Sequence, residues 1–480
     1  MATGGPLKSN IAPAVAGCLL TLIGTCHAED ISRYIVEDAP VIALTQALVI
    51  DGTGAAPVAS QTVIIRNGRI ANIGPDHEVS IPENARRIAL QGRALLPGWV
   101  MLHEHLYNSP TWTDPVIATE QPVSYPKLYL AAGVTSARTA GSIEPYTDLR
   151  IKEAIASGTM VGPDFDLTAP YLEGEPGAVL QLHPLDSAQA AREHVRYWAG
   201  LGFTSFKAYM FITPEQLSAA IDEAHKRGLK VTGHLCSVTY REAADLGIDQ
   251  IEHGFIEMSD FQPDKPAGRC SPKNQRQSVA KLSADQQPVQ SLISHLIERH
   301  VTITSTLAVY ARMAKMLPAL DENEIAFLDK SSVEYYRDDL RRGTEHPDEL
   351  LRQTVKTSMA LEAAFWRAGG RLVVGSDAVP PGSLAGNEDL TAIELLVEAG
   401  IPPLNVIQIA TQNGAEALNV ADDRGSIVVG KRADLIVIDG NPSTNIKDIH
   451  NIDIVFKNGV GYDSAALRRS AIGTIGGPGS

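Results

Sequence analysis

The sequence has few cysteines, no concentration of positive charge and no apolar run long enough to cross a membrane. Its 480 residues include 41 basic and 56 acidic side chains, which gives a net charge of −15 with histidine neutral. Without a basic cluster, neither a nucleic acid nor an anionic membrane surface is expected as the main partner. What is present, 44% apolar and 20% charged residues, is typical of a soluble globular protein.

Residues 1–28 have the composition of a secretory signal peptide. Lys8 is their only charge, residues 11–23 form an apolar run, and small residues precede a cleavage point after Ala28. The run is too short for a membrane span. A lipoprotein site at Cys18 is the alternative, but it leaves too little apolar sequence before it. We therefore expect a periplasmic or secreted protein.

Two separated pieces of the chain, residues 41–94 and 422–463, are rich in short apolar runs and turn residues. Asn67-Gly68 and Asn458-Gly459 are typical hairpin signals. Neither piece has enough strands for a stable sheet of its own. We predict one composite β-sandwich domain built from both pieces, followed by a flexible tail over residues 464–480.

Between residues 95 and 421 a helical stretch, a glycine and a short apolar strand recur in that order. Alternating helices and buried strands indicate a parallel sheet. No Gly-x-Gly-x-x-Gly turn follows the first strand, which disfavours the alternative, a doubly wound open sheet. We predict a TIM-like (β/α)8 barrel whose strands lie near residues 98–105, 134–140, 164–170, 203–209, 229–235, 249–254, 301–307 and 371–377.

Residues able to bind metals stand at the carboxyl ends of these predicted strands. His103 and His105 are two apart on the first strand, so both imidazoles point to one side. Each residue has an ordinary alternative role, as a core histidine, half of an ion pair or a helix cap. Because carboxyl ends converge at the mouth of a barrel, the set predicts a site for divalent metal. The set consists of His103, His105, Lys207, His234, His253 and Asp377.

These motifs resemble the amidohydrolase superfamily of metal-dependent hydrolases, over about residues 41–461. The matching features include Pro97-Gly98 before His103-x-His105, Glu252-His-Gly254 and Ser376-Asp377. The chain is most similar to the branch of imidazolonepropionase-related hydrolases and Xaa-Pro dipeptidases. Glu104 departs from many relatives, which have a small or apolar residue there, and we assign it no chemical role.

The resemblance implies a ligand set and a mechanism. His103, His105 and Asp377 would bind one metal ion, and His234 and His253 a second. Lys207 would bridge the two as N6-carboxylysine. Asp377 would be the catalytic residue, a general base and then a general acid for metal-activated water. Zinc is the expected metal, with manganese or cobalt as alternatives, and a homo-oligomer is expected from the same resemblance.

Substrate recognition is expected from the loops beyond the strands. Tyr209, Arg138 and Tyr171 end neighbouring strands and are candidates for contact with a small-molecule substrate. The longest loop, from Glu257 to about Gln287, is predicted to be a solvated lid. The leading function is hydrolysis of an amide in a peptide or N-acyl amino acid. The alternatives are hydrolysis of a cyclic amide, lactone or carbamate, and a metal-bearing binding protein without turnover.

Two cysteines follow the predicted signal peptide, Cys236 and Cys270. Cys236 lies just after His234 at the end of the fifth strand, and Cys270 lies in the long loop after the sixth. Neighbouring strands are about 4.8 Å apart, so the loop can bring the two residues together. In an oxidising compartment we predict a disulfide between them.

Overall fold

The computed structural model describes Met1 and residues 29–112 and 116–477, so the predicted signal peptide lies outside the described residues apart from Met1. The described strands are, in chain order, β1 (Ile35–Glu37), β2 (Val41–Val49), β3 (Val58–Arg66), β4 (Arg69–Pro75), β5 (Arg86–Ala89), β6 (Arg93–Pro97), β7 (Trp99–Glu104), β8 (Tyr107–Asn108), β9 (Thr119–Glu120), β10 (Val134–Thr139), β11 (Asp164–Asp166), β12 (Ser205–Ala208), β13 (Lys230–Gly233), β14 (Gln250–Ile251), β15 (Thr302–Ser305), β16 (Leu372–Val374), β17 (Leu435–Asp439), β18 (Ile452–Lys457) and β19 (Val460–Asp463).

Most helices follow a strand, as the alternating sequence pattern predicts. The α-helices are α1 (Ser124–Ala131), α2 (Pro145–Ala156), α3 (Ala188–Gly200), α4 (Pro214–His225), α5 (Tyr240–Leu246), α6 (Pro272–Val279), α7 (Gln287–Glu298), α8 (Leu307–Met313), α9 (Glu322–Ile325), α10 (Lys330–Glu345), α11 (Glu349–Arg367), α12 (Asn387–Glu398), α13 (Pro403–Gln408), α14 (Gly414–Ala417) and α15 (Ser464–Arg469). Short 3₁₀ turns cover Ile31–Tyr34 and Ile446–His450, and a π-helical turn covers Ile409–Asn413. Within the described ranges, no helix combines the length and the apolar composition that a membrane span requires.

Strands from both ends of the chain form a single hydrogen-bonded sheet. Its order is β1-β19-β18-β17-β6-β2-β3-β4, with β5 also paired to β2. The join is antiparallel between β6 and β17, where Leu95 lies opposite Val437. Both residues are fully buried in one apolar cluster to which both pieces of the chain contribute. Where a sandwich was predicted, the hydrogen bonding is that of one continuous sheet.

Eight parallel strands occupy the middle of the chain, each beginning within two residues of its predicted start and ending up to four residues before its predicted end. They fall into two groups, β7-β10-β11 and β12-β13-β14-β15-β16, each in sequential order. Such sequential order lacks the reversal of a doubly wound sheet. The two groups are connected at both edges.

At one edge, parallel bridges join Thr168 to Ser205 and Leu172 to Ala208. At the other, the backbone N–H of Asp377 donates to the carbonyl of His103 at 3.0 Å. Gly375 permits this approach, since a Cβ there would lie 2.4 Å from the backbone nitrogen of His103.

Local sequence explains where helices begin and end. Thr213 accepts a hydrogen bond from the Gln216 N–H, and Gln216 accepts from the Thr213 N–H, so a capping box starts α4 as predicted. The apolar residues Leu217, Ala220 and Ile221 along one face of α4 are buried. This face packs the helix onto the parallel strands.

The predicted disulfide is confirmed. Cys236 and Cys270 are bonded, with their Cα atoms 5.0 Å apart. The segment from 257 to 287 is more ordered than the predicted lid, because it contains α6. The α6 residues Gln275 and Val279 are buried, and the helix packs against α11 instead of lying in solvent.

The prediction of a flexible tail after residue 464 is wrong for the residues described. Ser464–Arg469 is helical, and Leu467 and Ile475 are fully buried. The backbone N–H of Asp329 donates to the carbonyl of Ile475 at 2.8 Å. Glycine and serine suggested fraying, but the apolar residues between them pack into the core.

Candidate functional site

All six residues of the predicted metal set lie at the carboxyl ends of parallel strands and approach one another. His103 belongs to β7 and Lys207 to β12, and the other four lie one to three residues beyond the ends of β7, β13, β14 and β16. Five of the six line one cavity, and His103 lies beneath them, fully buried. The convergence expected from strand ends is therefore present.

Asp377 lies among three histidines. Its Oδ1 is 3.2 Å from His105 Nε2 and 3.8 Å from His103 Nε2. Its Oδ2 is 3.7 Å from His253 Nδ1. Lys207 Nζ lies 3.2 Å from His103 Nε2. These contacts connect the residues of the first, fourth, sixth and eighth parallel strands.

His234 and His253 form a neighbouring pair. Their ring centroids are 4.4 Å apart, and the rings meet edge to face. The Nε2 atoms of both rings are buried and have no hydrogen-bond partner among the described residues. A buried polar atom without a partner is costly, and an imidazole nitrogen with a free lone pair is a metal ligand.

Two residues of the set have a left-handed backbone. His253 has φ of 68° and Asp377 has φ of 51°, a conformation that is uncommon outside glycine. Strain of this kind clusters at functional sites. It turns both side chains toward the cavity at the point where their strands end.

Hydrogen bonds from below fix two of the imidazole rings. Glu252 Oε2 lies 2.7 Å from His103 Nδ1, and Thr306 Oγ1 lies 2.9 Å from His253 Nδ1. When Nδ1–H donates to Glu252, Nε2 of His103 keeps its lone pair facing Lys207 and Asp377. Such outer partners orient histidine ligands in metal sites.

Burial determines the charge of the nitrogen donors. It lowers the pKa of His103 and of His234 to about 4, and it lowers the pKa of His253 well below its usual value. It also lowers the pKa of Lys207 to about 8. The histidines are therefore neutral near pH 7, which is the form that binds metal.

Asp377 remains a carboxylate. Burial alone would raise its pKa, but His103, His105 and Lys207 together outweigh burial and hold the pKa below its usual value. A carboxylate surrounded by neutral imidazoles is a donor set suited to zinc or a similar divalent ion.

The donor geometry fits a metal ion. One donor atom each from His103, His253 and Asp377 lie within 4.8 Å of one another. The partnerless nitrogens of His234 and His253 point to the same conclusion. The site therefore has the composition and spacing of a possible metal centre.

The cavity above these residues measures about 220 Å³. Tyr209 and Tyr171, both predicted to contact substrate, line it. Their ring centroids are 4.9 Å apart, and the Tyr171 hydroxyl hydrogen-bonds that of Tyr107. Both tyrosines are thus available to a molecule in the cavity.

The position of Arg138 contradicts its predicted contact with substrate. Its guanidinium is buried beneath His103, where Nη2 donates to Glu252 Oε1 at 2.6 Å and to the Leu102 carbonyl at 2.6 Å. Nη1 donates to Gln250 at 2.8 Å. Arg138 does not line the cavity. Its charge balances Glu252 instead.

Glu104 faces away from the cavity, in agreement with its having no assigned role. Its carboxylate accepts from the backbone N–H of Ser376 at 3.0 Å and from the Ser376 hydroxyl. It therefore connects β7 to the residue before Asp377.

Three residues in the cavity wall were missed by sequence reasoning, namely Glu257, Arg276 and Tyr310. The Tyr310 hydroxyl donates to Glu257 Oε1 at 2.8 Å, and Glu257 Oε2 lies 4.0 Å from His234 Nε2. Glu257 and Tyr310 both follow the carboxyl end of a parallel strand, which is the signal that could have identified them.

Comparison with known proteins agrees with the resemblance noted in the sequence. The family model described as the amidohydrolase family matches residues 94–460. The imidazolonepropionase of Saccharopolyspora erythraea is 36% identical over 99 residues, which are 20% of this chain and 25% of that protein. This match therefore spans about a quarter of the relative's length.

Longer matches are more distant. The 5-methylthioadenosine/S-adenosylhomocysteine deaminase of Bacillus cereus (strain AH820) is 22% identical over 398 residues, covering 78% of this chain and 80% of that protein. A crystal structure of a Xaa-Pro dipeptidase with bound methionine is 19% identical with a TM-score of 0.67, covering 88% of this chain and 100% of that one. The structural likeness supports a TIM-barrel-like α/β fold.

Proposed function

The chain belongs to the amidohydrolase family and is a metal-dependent hydrolase acting on carbon–nitrogen bonds, and on this premise we propose that it cleaves an amide with two metal ions. The amide belongs to a peptide or an N-acyl amino acid. The observation that carries the proposal is the convergence of three histidines, a lysine and an aspartate on one cavity, with a fourth histidine, His103, directly beneath them.

The metal ligands divide into two groups. His103, His105 and Asp377 would hold one ion, and His234 and His253 would hold the second. Zinc is the default because the donors are imidazole and carboxylate, with manganese or cobalt as alternatives. When bound, the ions supply Lewis acidity, which polarises a carbonyl and lowers the pKa of water.

The chain's own residues manage the proton. The carboxylate of Asp377 accepts a proton from the attacking water and delivers it to the nitrogen of the leaving amine. The low pKa of Asp377 keeps the carboxylate ionised, so that its oxygens are free of a proton before the reaction. The hydroxyl of Tyr209, a residue of the cavity wall, would donate to the substrate carbonyl oxygen.

Lys207 becomes N6-carboxylysine in the active enzyme. An ammonium has no lone pair with which to bind a metal ion, and burial lowers the pKa of Lys207 to about 8, which raises the fraction of neutral amine near pH 7. The neutral Nζ adds to carbon dioxide, a nitrogen–carbon bond forms, and the displaced proton leaves to solvent. ¹³C NMR of protein loaded in ¹³C-bicarbonate should detect the carbamate, and Lys207→Ala should recover activity in part with short carboxylic acids. If fully metallated, active enzyme gave no carbamate signal, the assignment of Lys207 as N6-carboxylysine would be refuted.

Supporting hydrogen bonds favour a closed (β/α)8 barrel over residues 95–421. The contacts between Thr168 and Ser205 and between Asp377 and His103 join the two groups of parallel strands. Residues 41–94 and 422–463 make the composite β domain, with β6 and β17 as its centre.

We extend the proposal to location and assembly. Residues 1–28 direct export, and cleavage follows Ala28. The disulfide between Cys236 and Cys270 supports an oxidising compartment, periplasmic or extracellular. A homo-oligomer is part of the same proposal, and mass photometry of the mature protein tests it.

The test combines metal analysis with a substrate screen. Purified protein should contain two equivalents of divalent metal, and His234→Ala should lose close to one because a ligand is removed. His183→Ala, outside the set, is the matched control and should keep both. Two equivalents in His234→Ala would show that the ligand set is wrong.

The zinc-loaded enzyme is then offered dipeptides, N-acyl amino acids, cyclic amides, lactones, carbamates and 5′-methylthioadenosine. Amide hydrolysis at the highest kcat/KM supports the proposal. Preference for a ring-opening, carbamate or amine-release reaction would replace it with that activity. Two bound metals without any turnover would favour the binding protein.

A further inference from the structure

The wall of the cavity contains a guanidinium with spare hydrogen-bonding capacity. Arg276, on α6, lines the cavity, and its Nε is buried without a hydrogen-bond partner among the described residues. Its Nη2 lies 3.7 Å from Glu257 Oε1, which is longer than a hydrogen bond. Among the described lining residues, Lys207 is the only other lysine or arginine.

Glu257 leaves N–H groups of the Arg276 guanidinium free to bind another acceptor. Its Oε1 already accepts from the Tyr310 hydroxyl at 2.8 Å, and its Oε2 faces His234. The planar fork of Arg276 can therefore still bind a carboxylate through two parallel hydrogen bonds. The buried Nε would gain a partner in doing so.

The other side of the cavity is apolar. Val179 and Leu182, from the segment after β11, line it together with Ala118 and Trp112. Trp112 remains 44% exposed, so this apolar surface continues toward the mouth. In a ring of eight strands, the segment after β11 lies roughly opposite α6, which follows β14.

Charge on the apolar side is also informative. The acidic residues that line the cavity, within the described ranges, are Glu257 and Asp377. Glu257 lies at the Arg276 end, and Asp377 is assigned to the metal site. None of the described residues on the apolar side therefore offers a carboxylate to pair with the α-ammonium of a free dipeptide, and burying an unpaired charge is costly.

From this arrangement we propose that the substrate is an N-acyl amino acid with an apolar acyl group, whose carboxylate binds Arg276. The inference rests on the amide hydrolysis proposed above and selects one of its two substrate classes. Water adds to the acyl carbon, the carbon–nitrogen bond breaks, and the amine leaves with the proton carried by Asp377. The products are an apolar carboxylic acid and a free amino acid. Arg276 takes the role that Arg138 was expected to have.

Three matched compounds test the proposal. N-(3-phenylpropanoyl)-L-alanine carries the carboxylate and no ammonium, L-phenylalanyl-L-alanine adds the ammonium, and N-(3-phenylpropanoyl)-L-alaninamide removes the carboxylate. Release of alanine or alaninamide is measured by mass spectrometry. We expect kcat/KM for the first compound to exceed both others by about 10- to 100-fold, the value of hydrogen bonds to a charged group.

Arg276→Met should reduce the acid-to-amide ratio of kcat/KM by the same 10- to 100-fold. Arg269→Met is the matched control, because Arg269 is exposed on the same loop and does not line the cavity; it should keep the wild-type ratio. A dipeptide preference, or an equal loss on acid and amide in Arg276→Met, would overturn the proposal. An equal loss would mean that Arg276 acts through Glu257.

Binding separates this inference from the proposed reaction. Calorimetric titration of Asp377→Asn with the first and third compounds should show tighter binding of the acid, and adding Arg276→Met should remove the difference. Discrimination in binding without wild-type turnover would refute amide hydrolysis and leave the carboxylate site standing. Turnover without discrimination would refute the carboxylate site alone.

Discussion

The buried ion pair beneath the site makes a quantitative prediction. The side chains of Arg138 and Glu252 are 4% and 0% exposed, and Nη2 lies 2.6 Å from Oε1. Arg138 and His103 together hold the pKa of Glu252 below its usual value, although burial alone would raise it. Glu252 is therefore ionised, and its charge depends on Arg138.

Arg138→Met leaves Glu252 as a buried anion without its cation. Removing one partner of a buried pair costs about 3–5 kcal/mol, and Glu252→Gln should cost a similar amount by leaving the guanidinium unpaired. The double variant removes both charges, so it should be less destabilised than the sum of the single variants by about 2–3 kcal/mol. Glu252→Gln should also weaken metal binding by about 10- to 100-fold, because Glu252 orients His103.

Urea unfolding of the metal-free protein, followed by tryptophan fluorescence, measures the cycle. Arg150→Met is the control, because Arg150 pairs with Glu153 in solvent at 81% and 61% exposure; its midpoint should match wild type. Additivity of the two single variants within about 0.5 kcal/mol would refute the buried pair. Selective loss of activity on acidic substrates in Arg138→Met would instead restore its predicted contact with substrate.

Three further predictions concern separate parts of the molecule. Asp377→Asn should lower kcat by roughly 10²- to 10⁴-fold, since Asn cannot accept the proton; near-normal turnover with an unchanged melting profile would remove Asp377 from the mechanism. Cys270→Ser opens a loop of 34 residues and should destabilise by about 4 kcal/mol on the chain-entropy model; reduced wild type should match it, and two free thiols in denatured, unreduced protein would contradict the bond. Burial raises the pKa of Glu362 to about 7 from 4.5, so its contribution to stability is complete below about pH 4.5 and is lost as pH rises through 7. In Glu362→Gln, the free energy of unfolding should fall by up to about 3 kcal/mol less over this pH range than in wild type. Parallel curves of stability against pH for the two proteins would contradict the prediction.

The convergence of the six candidate ligands was predictable because it depends on local sequence pattern. A glycine followed by a short apolar run fixes where a strand ends, and His234, His253 and Asp377 occupy those ends. The sequence does not reveal the left-handed φ at His253 and Asp377, because histidine and aspartate, although enriched at positive φ, adopt it in only a small fraction of cases.

The sequence did not predict whether a side chain near the end of a strand points inward, beneath the site, or outward into the cavity. Arg138 is one residue from the end of β10, yet its long side chain reaches inward to Glu252 instead of outward to the cavity. Arg276 was missed for a different reason. Its helix, α6, lies in a segment whose polar composition is typical of a loop. The tail was misjudged because its large buried residues, Leu467 and Ile475, are few and stand among glycine and serine.

The pairing of β6 with β17 has a consequence for synthesis of the chain. Leu95 and its partner Val437 are separated by 342 residues (437 − 95), which a ribosome adds in about 20–70 s at 5–20 residues per second. Throughout that interval one edge of β6 lacks the strand that completes it, and apolar Leu95 and Leu96 lie at that edge. An open apolar edge invites pairing with other chains, and newly made protein carries this hazard until β17, within the last tenth of the chain, has emerged.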